Sequence, residues 1–317
     1  GIYTNWGTAA HIALNPDTGE LVWHYQMTPS DVWDYDGVNE AILVDLNVGG
    51  SNVPALLKAD RNGFFYALDR VTGRFLNGRP FVTVNWAEGL DEEGRPIENP
   101  EARNNDPATY AGFVQIPAPY GAHNWHPMAM NPDVGLVYIP AMELGQAYVA
   151  DPRFKSKPAK WNTGMDFSAG IPLRYPEGTV QAMRAAAKGT LVAWDPVKQE
   201  ARWKVEHEAG WNGGILSTAA GLVFQGKLDG TFIAYDAATG EQLWTEQLHS
   251  GALSGPMTYE VDGEQYVTIT TGWGHAYGLA AGMLFKDAVP PAVGKVITFK
   301  LGGDAEIPPL DTSLLVE

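Results

Sequence analysis

Residues 13–23 of the chain, ALNPDTGELVW, return at residues 234–244 as AYDAATGEQLW. Shorter or weaker copies occur at residues 193–203, 67–73 and 129–135. In this pattern apolar residues end one strand, Asp or Asn caps a turn with its side chain, and Thr-Gly supplies a position of positive φ. A Trp at a fixed offset on the next strand can then bury its ring against a neighbouring unit and donate its indole N–H.

The spacing of these copies predicts an all-β fold, a β-propeller with tryptophan-docking repeats. One hairpin of this kind is not stable alone, so the units must stack. The copies begin roughly 40 to 65 residues apart, which suits four-stranded blades with insertions. About five such periods fit in the chain, and a closed five-bladed ring and an incomplete larger ring are both compatible with them.

Three segments do not follow the blade pattern. The acidic stretch 87–106 and the Pro-, Lys- and Gly-containing stretch 150–176 are interpreted as surface insertions in a single domain, residues 1–317. The Ala-rich segment 179–188 is the one convincing helix candidate.

Composition excludes several classes of function. The formal net charge of −16 argues against a broad basic surface for nucleic acid or for anionic lipid, and favours attraction of a positively charged partner. The sequence has no cysteine, which excludes thiol catalysis, Cys-ligated zinc and a covalently attached c-type haem. No apolar run is long enough to span a bilayer. No G-x-G-x-x-G follows a strand, so a nicotinamide site is not indicated.

The loop at residues 28–37, TPSDVWDYDG, is the candidate site. Asp34 and Asp36 are two residues apart, so in an extended segment both carboxylates point to the same side. Two carboxylates on one side repel each other unless positive charge lies between them, and a hard, oxygen-seeking cation is the usual solution. The alternative is a polar turn with solvated aspartates.

The motifs together resemble those of the alcohol dehydrogenases that depend on the cofactor pyrroloquinoline quinone (PQQ). The repeat A-x-D-x-x-T-G-x-x-x-W resembles the tryptophan-docking motif of that family, and residues 28–39 resemble the loop that carries its catalytic aspartate. Four further motifs follow in the family's order and extend the resemblance over essentially the whole chain: DRNG at 60–63, GAHNW at 121–125, WNGG at 211–214 and GWG at 272–274.

The resemblance implies an eight-bladed propeller of which this chain represents the carboxy-terminal portion, hence an incomplete ring. It implies oxidation of a primary alcohol in the periplasm, with a soluble c-type cytochrome as electron acceptor and without nucleic acid or membrane insertion. The family's metal-binding Glu and Asn and its adjacent-cysteine disulfide cannot be assigned here. The chain is therefore expected to be a fragment, a split subunit or an incompletely recovered gene product, and a homodimer or a complementing amino-terminal half is a candidate for completing it.

The resemblance also assigns roles to individual residues. Asp34 matches the catalytic base, which removes the hydroxyl proton of the substrate, and with Asp36 it is a predicted metal ligand. A second Asp at position 36 resembles the lanthanide-dependent members, so a lanthanide ion is the preferred metal and Ca²⁺ the alternative. Arg61 matches the arginine that reaches the quinone oxygens, and its alternative role is that of an exposed turn residue.

The remaining predicted cofactor contacts are carried over from the same motifs. Asn124 is expected to hydrogen-bond the quinone, whereas its neighbour Trp125 is either a second contact or a core residue. Trp211, Trp273 and Gly274 are placed at the edge of the quinone, because Gly-rich turns let backbone approach a planar ligand closely. The other tryptophans, among them Trp23, Trp203 and Trp244, are expected to dock blades, and the histidines, His123 and His126 included, are interpreted as structural.

Two alternatives to an active enzyme remain at this level. One is a non-catalytic propeller that serves as an interaction platform, and the other is a truncated quinoprotein that is inactive alone. A scaffold has no need of two carboxylates that converge near a guanidinium, so the geometry of Asp34, Asp36 and Arg61 discriminates between an enzyme and a scaffold.

Overall fold

The computed structural model describes residues 5–103, 113–160, 162–166, 179–273, 290, 292–311 and 313. The first nine strands are β1 Ala10–Leu14, β2 Leu21–Gln26, β3 Ile42–Val48, β4 Ser51–Ala59, β5 Phe64–Asp69, β6 Phe75–Pro80, β7 Ala87–Leu90, β8 Pro96–Glu98 and β9 Val114–Gln115. The others are β10 Ala129–Asn131, β11 Leu136–Glu143, β12 Gln146–Ala147, β13 Lys188–Asp195, β14 Glu200–His207, β15 Ile215–Ser217, β16 Leu222–Gly226, β17 Thr231–Asp236, β18 Gln242–Gln247, β19 Met257–Val261, β20 Glu264–Thr270 and β21 Val296–Lys300.

The predicted all-β fold is confirmed. Contacts divide the chain into a first unit, Gly1–Asn124 with Glu143–Ala187, and a second unit, Trp125–Met142 with Lys188–Glu317. In the first unit the strands β3-β4-β5-β6 form a four-stranded sheet with the up-and-down order of a propeller blade. In the second unit β10-β11-β13-β14 and β15-β16-β17-β18 form two more, and β19-β20-β21 form a three-stranded sheet.

All five predicted repeat turns have the same geometry. In each turn one side-chain oxygen of the leading Asp or Asn accepts the backbone N–H groups of the second and third following residues; the leading residues are Asn15, Asp69, Asn131, Asp195 and Asp236. The fourth following residue has positive φ in every copy, between 57° and 76°. The capping predicted from the pattern is thereby confirmed.

The docking role predicted for the recurrent tryptophans is also confirmed. Trp23 on β2 donates its indole N–H to the Arg70 carbonyl at 3.0 Å, and Trp203 on β14 donates to the Ala237 carbonyl at 3.2 Å. Each acceptor lies in the repeat turn of another sheet in the same unit, where the indole ring packs on the glycine of that turn. Trp244 packs against Phe299 of β21 with ring centroids 5.3 Å apart.

The helix predicted at residues 179–188 is present, but its carboxy-terminal boundary is wrong. The helix α1 spans Thr179–Ala186, whereas Lys188 begins strand β13. Pairing of β13 with β14 starts at Gly189 opposite His207, so tertiary hydrogen bonding overrides the helix propensity of the Ala-rich segment at its last residues. In the part of the chain that the structure describes, no helix is both long and apolar enough to cross a bilayer.

The core of the first unit determines where the candidate loop lies. Trp33 and Tyr35 from this loop are almost fully buried beside Trp86 and Phe64. The acidic stretch predicted as a surface insertion forms the β7–β8 hairpin and a short 3₁₀ helix at Pro100–Arg103, and its Ala102 belongs to this core. The loop is thus anchored by aromatic residues on both sides of Asp34.

Candidate active site

Asp34 is held between two buried aromatic anchors. Trp33 donates its indole N–H to the Ala102 carbonyl at 3.1 Å, and Tyr35 donates its hydroxyl to the Pro117 carbonyl at 2.5 Å. The side chain of Asp34 is 64% exposed. Its φ is +66°, a conformation that costs a non-glycine residue free energy and that is found preferentially at functional sites.

The structure brings Asp34, Asp36 and Arg61 together. One terminal nitrogen of the guanidinium, Nη2, lies 3.5 Å from Oδ2 of Asp34, and the other, Nη1, lies 4.0 Å from Oδ1 of Asp36. Nη1 also donates to the backbone carbonyl of Asp36 at 3.3 Å. Both carboxylates therefore share one cation while more than half of each side chain stays open to solvent.

Arg61 is buried, which contradicts its alternative role as an exposed turn residue. It follows strand β4 in the turn to β5, and its backbone carbonyl accepts the N–H of Ala122 at 2.9 Å. A side chain at Gly121, where φ is +78°, would lie 2.7 Å from Cβ of Arg61, so only glycine permits this approach. Nη2 donates to the Pro119 carbonyl, and Nε is buried without a hydrogen-bond acceptor among the described groups.

The electrostatics of the loop show a surplus of negative charge. Partial burial and the adjacent Asp36 carboxyl raise the pKa of Asp34 to about 7, although Arg61 acts in the opposite direction. Burial also raises the pKa of Asp31 to about 6, against the effect of its backbone hydrogen bonds. The arrangement therefore favours an additional cation, since a bound positive ion would stabilise all of these carboxylates in their ionised form.

Asp31 is a residue of this loop to which the sequence analysis gave no role. Its Oδ1 accepts the backbone N–H of Trp33 at 2.8 Å, and its Oδ2 accepts the backbone N–H of Tyr35 at 2.7 Å. A sequence signal was available, because an Asp whose second and fourth following residues are large aromatics fits a side-chain cap over a buried loop. The same loop therefore contains one carboxylate that shapes the backbone and two that face solvent.

A buried polar cluster supports the loop at Gly37. Lys58 donates to the Asn39 carbonyl at 2.6 Å and lies 3.8 Å from Asp60. Burial lowers the pKa of Lys58 and raises that of Asp60. A side chain at position 37 would lie 2.6 Å from Asp60 Oδ1, so glycine is required there and the cluster fixes the backbone next to Asp36. His123 is fully buried beside Asn39, which agrees with its structural interpretation.

Asn124 belongs to the first unit, as do the two aspartates and Arg61. It is buried, and its amide donates to the Tyr120 carbonyl at 2.8 Å. This bond orients the Asn124 side chain. Its predicted contact with a quinone stays a prediction.

The predicted tryptophan contacts belong to the second unit. Trp125 is 42% exposed and stacks on His126 at 4.0 Å, and His126 meets the buried Trp211 edge-on at 4.7 Å. The exposure of Trp125 disfavours its alternative role as a core residue. Trp273 packs beside Gly251, and its indole nitrogen is buried without an acceptor among the described groups. Gly274 lies outside the described residues.

The family assignment rests on a sequence profile. The profile of the glucose/ethanol/alcohol dehydrogenase β-propeller domain that binds PQQ matches residues 4–84 and 101–267. The chain belongs to this family. The predicted family is thereby confirmed, on more than half of the chain.

Individual relatives agree with this assignment. A quinohemoprotein alcohol dehydrogenase of Comamonas testosteroni is 44% identical over 309 residues, which are 95% of this chain and 41% of the relative. Its crystal structure superposes with a TM-score of 0.83 at 41% identity. The superposition covers 97% of this chain and 44% of that chain. The 1-butanol dehydrogenase (cytochrome c) of Thauera butanivorans is 42% identical over 96% of this chain and 42% of its own length.

A third relative is a europium-containing methanol dehydrogenase of known structure. It superposes with a TM-score of 0.76 at 31% identity and covers 94% of this chain and 53% of its own chain. The chain thus spans about two fifths of the length of the curated relatives and about half of this solved one.

The residues present fit the cofactors of this family in part. Asp34 and Asp36 offer carboxylate oxygens, the ligands that hard cations prefer, and Arg61 has a buried Nε with donor capacity to spare. Within the described ranges, however, no group of three or more His, Asp or Glu side chains is arranged around a metal position. The described residues therefore offer two carboxylate groups at this position.

Proposed function

We propose that this chain carries the catalytic part of a PQQ-dependent alcohol dehydrogenase, which oxidises a primary alcohol to an aldehyde. The observation that carries the proposal is the convergence of Asp34 and Asp36 on the buried guanidinium of Arg61. A site that binds a ligand and removes a proton needs accessible carboxylates, and both carboxylates here are exposed beside the buried cation.

Each residue has a distinct role in this proposal. Oxidation of the alcohol removes the hydroxyl proton and a hydride from the adjacent carbon. Asp34 accepts the proton, and its position at an exposed corner of the loop gives a small substrate access to its oxygens. When bound, PQQ would supply the two-electron acceptor and the metal would supply a Lewis acid. Arg61 stabilises negative charge beside both carboxylates, and its N–H groups would hold the oxygens of a bound quinone.

We propose a lanthanide ion as the metal, with Ca²⁺ as the second candidate. Asp36 adds a carboxylate to the one that Asp34 provides, and a trivalent ion gains more from this extra negative charge than a divalent ion does. The europium-containing relative supports this choice through its 31% identity over 94% of the chain. A carboxylate has two oxygens, so Asp34 can bind the metal and accept a proton with different atoms.

The electron acceptor proposed for the complete enzyme is a c-type cytochrome in the periplasm. One relative is named as a cytochrome c-linked butanol dehydrogenase. The net charge of −16 would attract a positively charged acceptor over long range. Reduction of a basic cytochrome c should therefore slow as ionic strength rises, whereas reduction of a neutral artificial acceptor should not.

The test is a titration of the purified chain with PQQ, followed by absorbance, in the presence of La³⁺, of Ca²⁺ or of a chelator. Saturable binding that requires metal supports the proposal, and alcohols are then assayed with an artificial electron acceptor. Lack of PQQ binding under every condition contradicts the proposal that this stretch holds a usable site. Binding without turnover would limit its role to holding the cofactor.

A further inference from the structure

The two peptide groups that flank Asp34 are each held by a buried or partly buried side chain. The carbonyl of Trp33, in the peptide group before Asp34, accepts the hydroxyl of Tyr148 at 2.9 Å. The N–H of Tyr35, in the peptide group after Asp34, donates to Oδ2 of Asp31 at 2.7 Å. These two planes define φ and ψ of Asp34, so both of its backbone torsions are set by side chains.

We propose that Asp31 and Tyr148 are positioning residues for the active site, which hold Asp34 in its left-handed conformation and so direct its carboxylate toward the metal and the substrate. The inference rests on the proposed function, because the orientation of Asp34 matters for activity only if its carboxylate binds a metal or a substrate. Tyr148 follows strand β12 and lies 114 positions after Asp34, so local sequence did not indicate it as a partner of this loop.

The conformation of Asp34 needs such support. A residue other than glycine is less stable in the left-handed region than in the right-handed or extended regions, so an unrestrained loop would relax. The Asp31 carboxylate uses both oxygens on backbone N–H groups, with the second bond to Trp33 at 2.8 Å. Charge-assisted hydrogen bonds of this length are stronger than neutral ones. They offset the intrinsic preference of the Asp34 backbone for other conformations.

Tyr148 is suited to the same task because it is rigid. Its ring is buried in the core that contains Trp33 and Tyr35, and burial raises the pKa of its hydroxyl far above the ordinary value. The hydroxyl therefore stays protonated and can only donate to the Trp33 carbonyl. A fixed donor on one side and a fixed acceptor on the other leave Asp34 a single orientation.

The chain contains a matched control for each of the two residues. Asp91 accepts the N–H groups of its second and fourth following residues at 3.1 and 2.7 Å, the same spacing as at Asp31, in the exposed turn between β7 and β8. Tyr138 in the second unit is buried and donates its hydroxyl to the Ala237 carbonyl at 2.9 Å, the same bond as at Tyr148. Neither control residue has been placed in the site.

The experiment measures binding of Tb³⁺ through its luminescence, excited through the aromatic side chains, in the full chain with Asp31→Asn, Tyr148→Phe, Asp91→Asn or Tyr138→Phe. The Tm of every variant is recorded beside the affinity. We expect Asp31→Asn to weaken Tb³⁺ binding about 10- to 100-fold and Tyr148→Phe by about 10-fold, the range seen when residues that orient metal ligands are changed. The two controls should lower Tm comparably and leave affinity within about twofold.

The outcomes separate the inference from the proposed function. Unchanged affinity in Asp31→Asn and Tyr148→Phe, with Tb³⁺ bound by the unsubstituted chain, overturns the inference alone. Equal losses of affinity in the control variants overturn it as well, because the effect would then follow general stability. Failure of the unsubstituted chain to bind Tb³⁺ overturns the proposed metal site and this inference with it. Since Asn and Phe keep the shape of the replaced side chains, folding should survive.

Discussion

The five repeat turns and the loop around Asp34 are built with the same device, an Asp or Asn side chain that accepts backbone N–H groups ahead of it. They differ in which residue takes positive φ. In four of the repeat turns that residue is glycine, with φ between 72° and 76°, and it lies under or near a docking tryptophan or at the surface. In the loop two residues other than glycine take positive φ, Ser30 at +53° and Asp34 at +66°, and the carboxylate of Asp34 is open to solvent.

This difference separates structural turns from a functional one. A glycine adopts positive φ at little cost, so four of the five repeat turns reach their geometry without strain, whereas the fifth has Gln199 at +57°. The loop places an unfavourable conformation on the residue whose carboxylate meets Arg61, and compensates with Asp31, Tyr148 and two aromatic anchors. Backbone strain at a residue whose side chain faces a charged partner is typical of sites of catalysis or binding.

The largest effect, on turnover, is expected when the proposed catalytic base in the loop is removed. Asp34→Asn keeps the size of the side chain and loses the base, so turnover of a primary alcohol should fall by about 10²- to 10⁴-fold while PQQ binding stays largely intact. Steady-state rates with an artificial acceptor, together with a PQQ titration, check this. Retained turnover would remove Asp34 as the base.

The next effect concerns the structural turns. Gly73→Ala should destabilise the chain by about 2–4 kcal/mol, because the added Cβ would lie 2.7 Å from the ring of Trp23 and φ is +73°. Gly19→Ala is the control, since φ is +72° and no atom lies within 4 Å of the added Cβ. Urea unfolding should show a loss of only about 1 kcal/mol there. Equal losses of unfolding free energy at the two positions would mean that the contact of Trp23 with the turn does not contribute to stability.

A smaller effect is expected at the second carboxylate. Asp36→Ser should weaken lanthanide-supported activity about 10-fold more than calcium-supported activity, since the trivalent ion depends more on the added negative charge. Parallel titrations of La³⁺ and Ca²⁺ in the activity assay measure the ratio. The same loss with both ions would count against a lanthanide as the preferred metal.

The smallest effect is a difference in stability that measures the backbone strain at Asp34. Asp34→Gly should be more stable than Asp34→Ala by about 1 kcal/mol, because only glycine adopts φ near +66° without cost. At a residue with ordinary negative φ the order is reversed, as alanine is then the more stable. Chemical unfolding of the two variants provides the comparison, and an alanine variant as stable as the glycine one would show that the loop carries no strain.

Local pattern was sufficient for the repeat turns. The Asp or Asn cap, the positive φ and the docking of Trp23 and Trp203 depend on residues within one hairpin and its neighbour, so their spacing is visible in sequence. The prediction that Asp34 and Asp36 lie on one side assumed an extended segment, and that premise is wrong, because Asp34 has a φ of +66° and lies outside the strands. The two carboxylates instead converge on Arg61. The motif resemblance then added Arg61, which the structure places between them.

Contacts between distant segments were not predictable from pattern. Tyr148 reaches the Trp33 carbonyl across 115 residues, and the burial of Lys58 with Asp60 beneath Gly37 depends on how three segments pack. The end of α1 was misplaced because Lys188 lies in a strand whose partner, β14, comes later in the chain. In each case the deciding interaction is tertiary, and propensity and spacing carry no information about it.

The most direct test of the central claim compares the unsubstituted chain with the Asp34→Asn/Asp36→Asn double variant in an equilibrium titration with PQQ and La³⁺. The two carboxylates are proposed to supply the anionic ligands for the metal, so the unsubstituted chain should bind PQQ only when La³⁺ is present. The double variant should lose this metal-dependent binding while its Tm stays close to that of the unsubstituted chain. Equal, metal-dependent PQQ binding by both proteins would contradict the account, because the site would then not depend on the two aspartates.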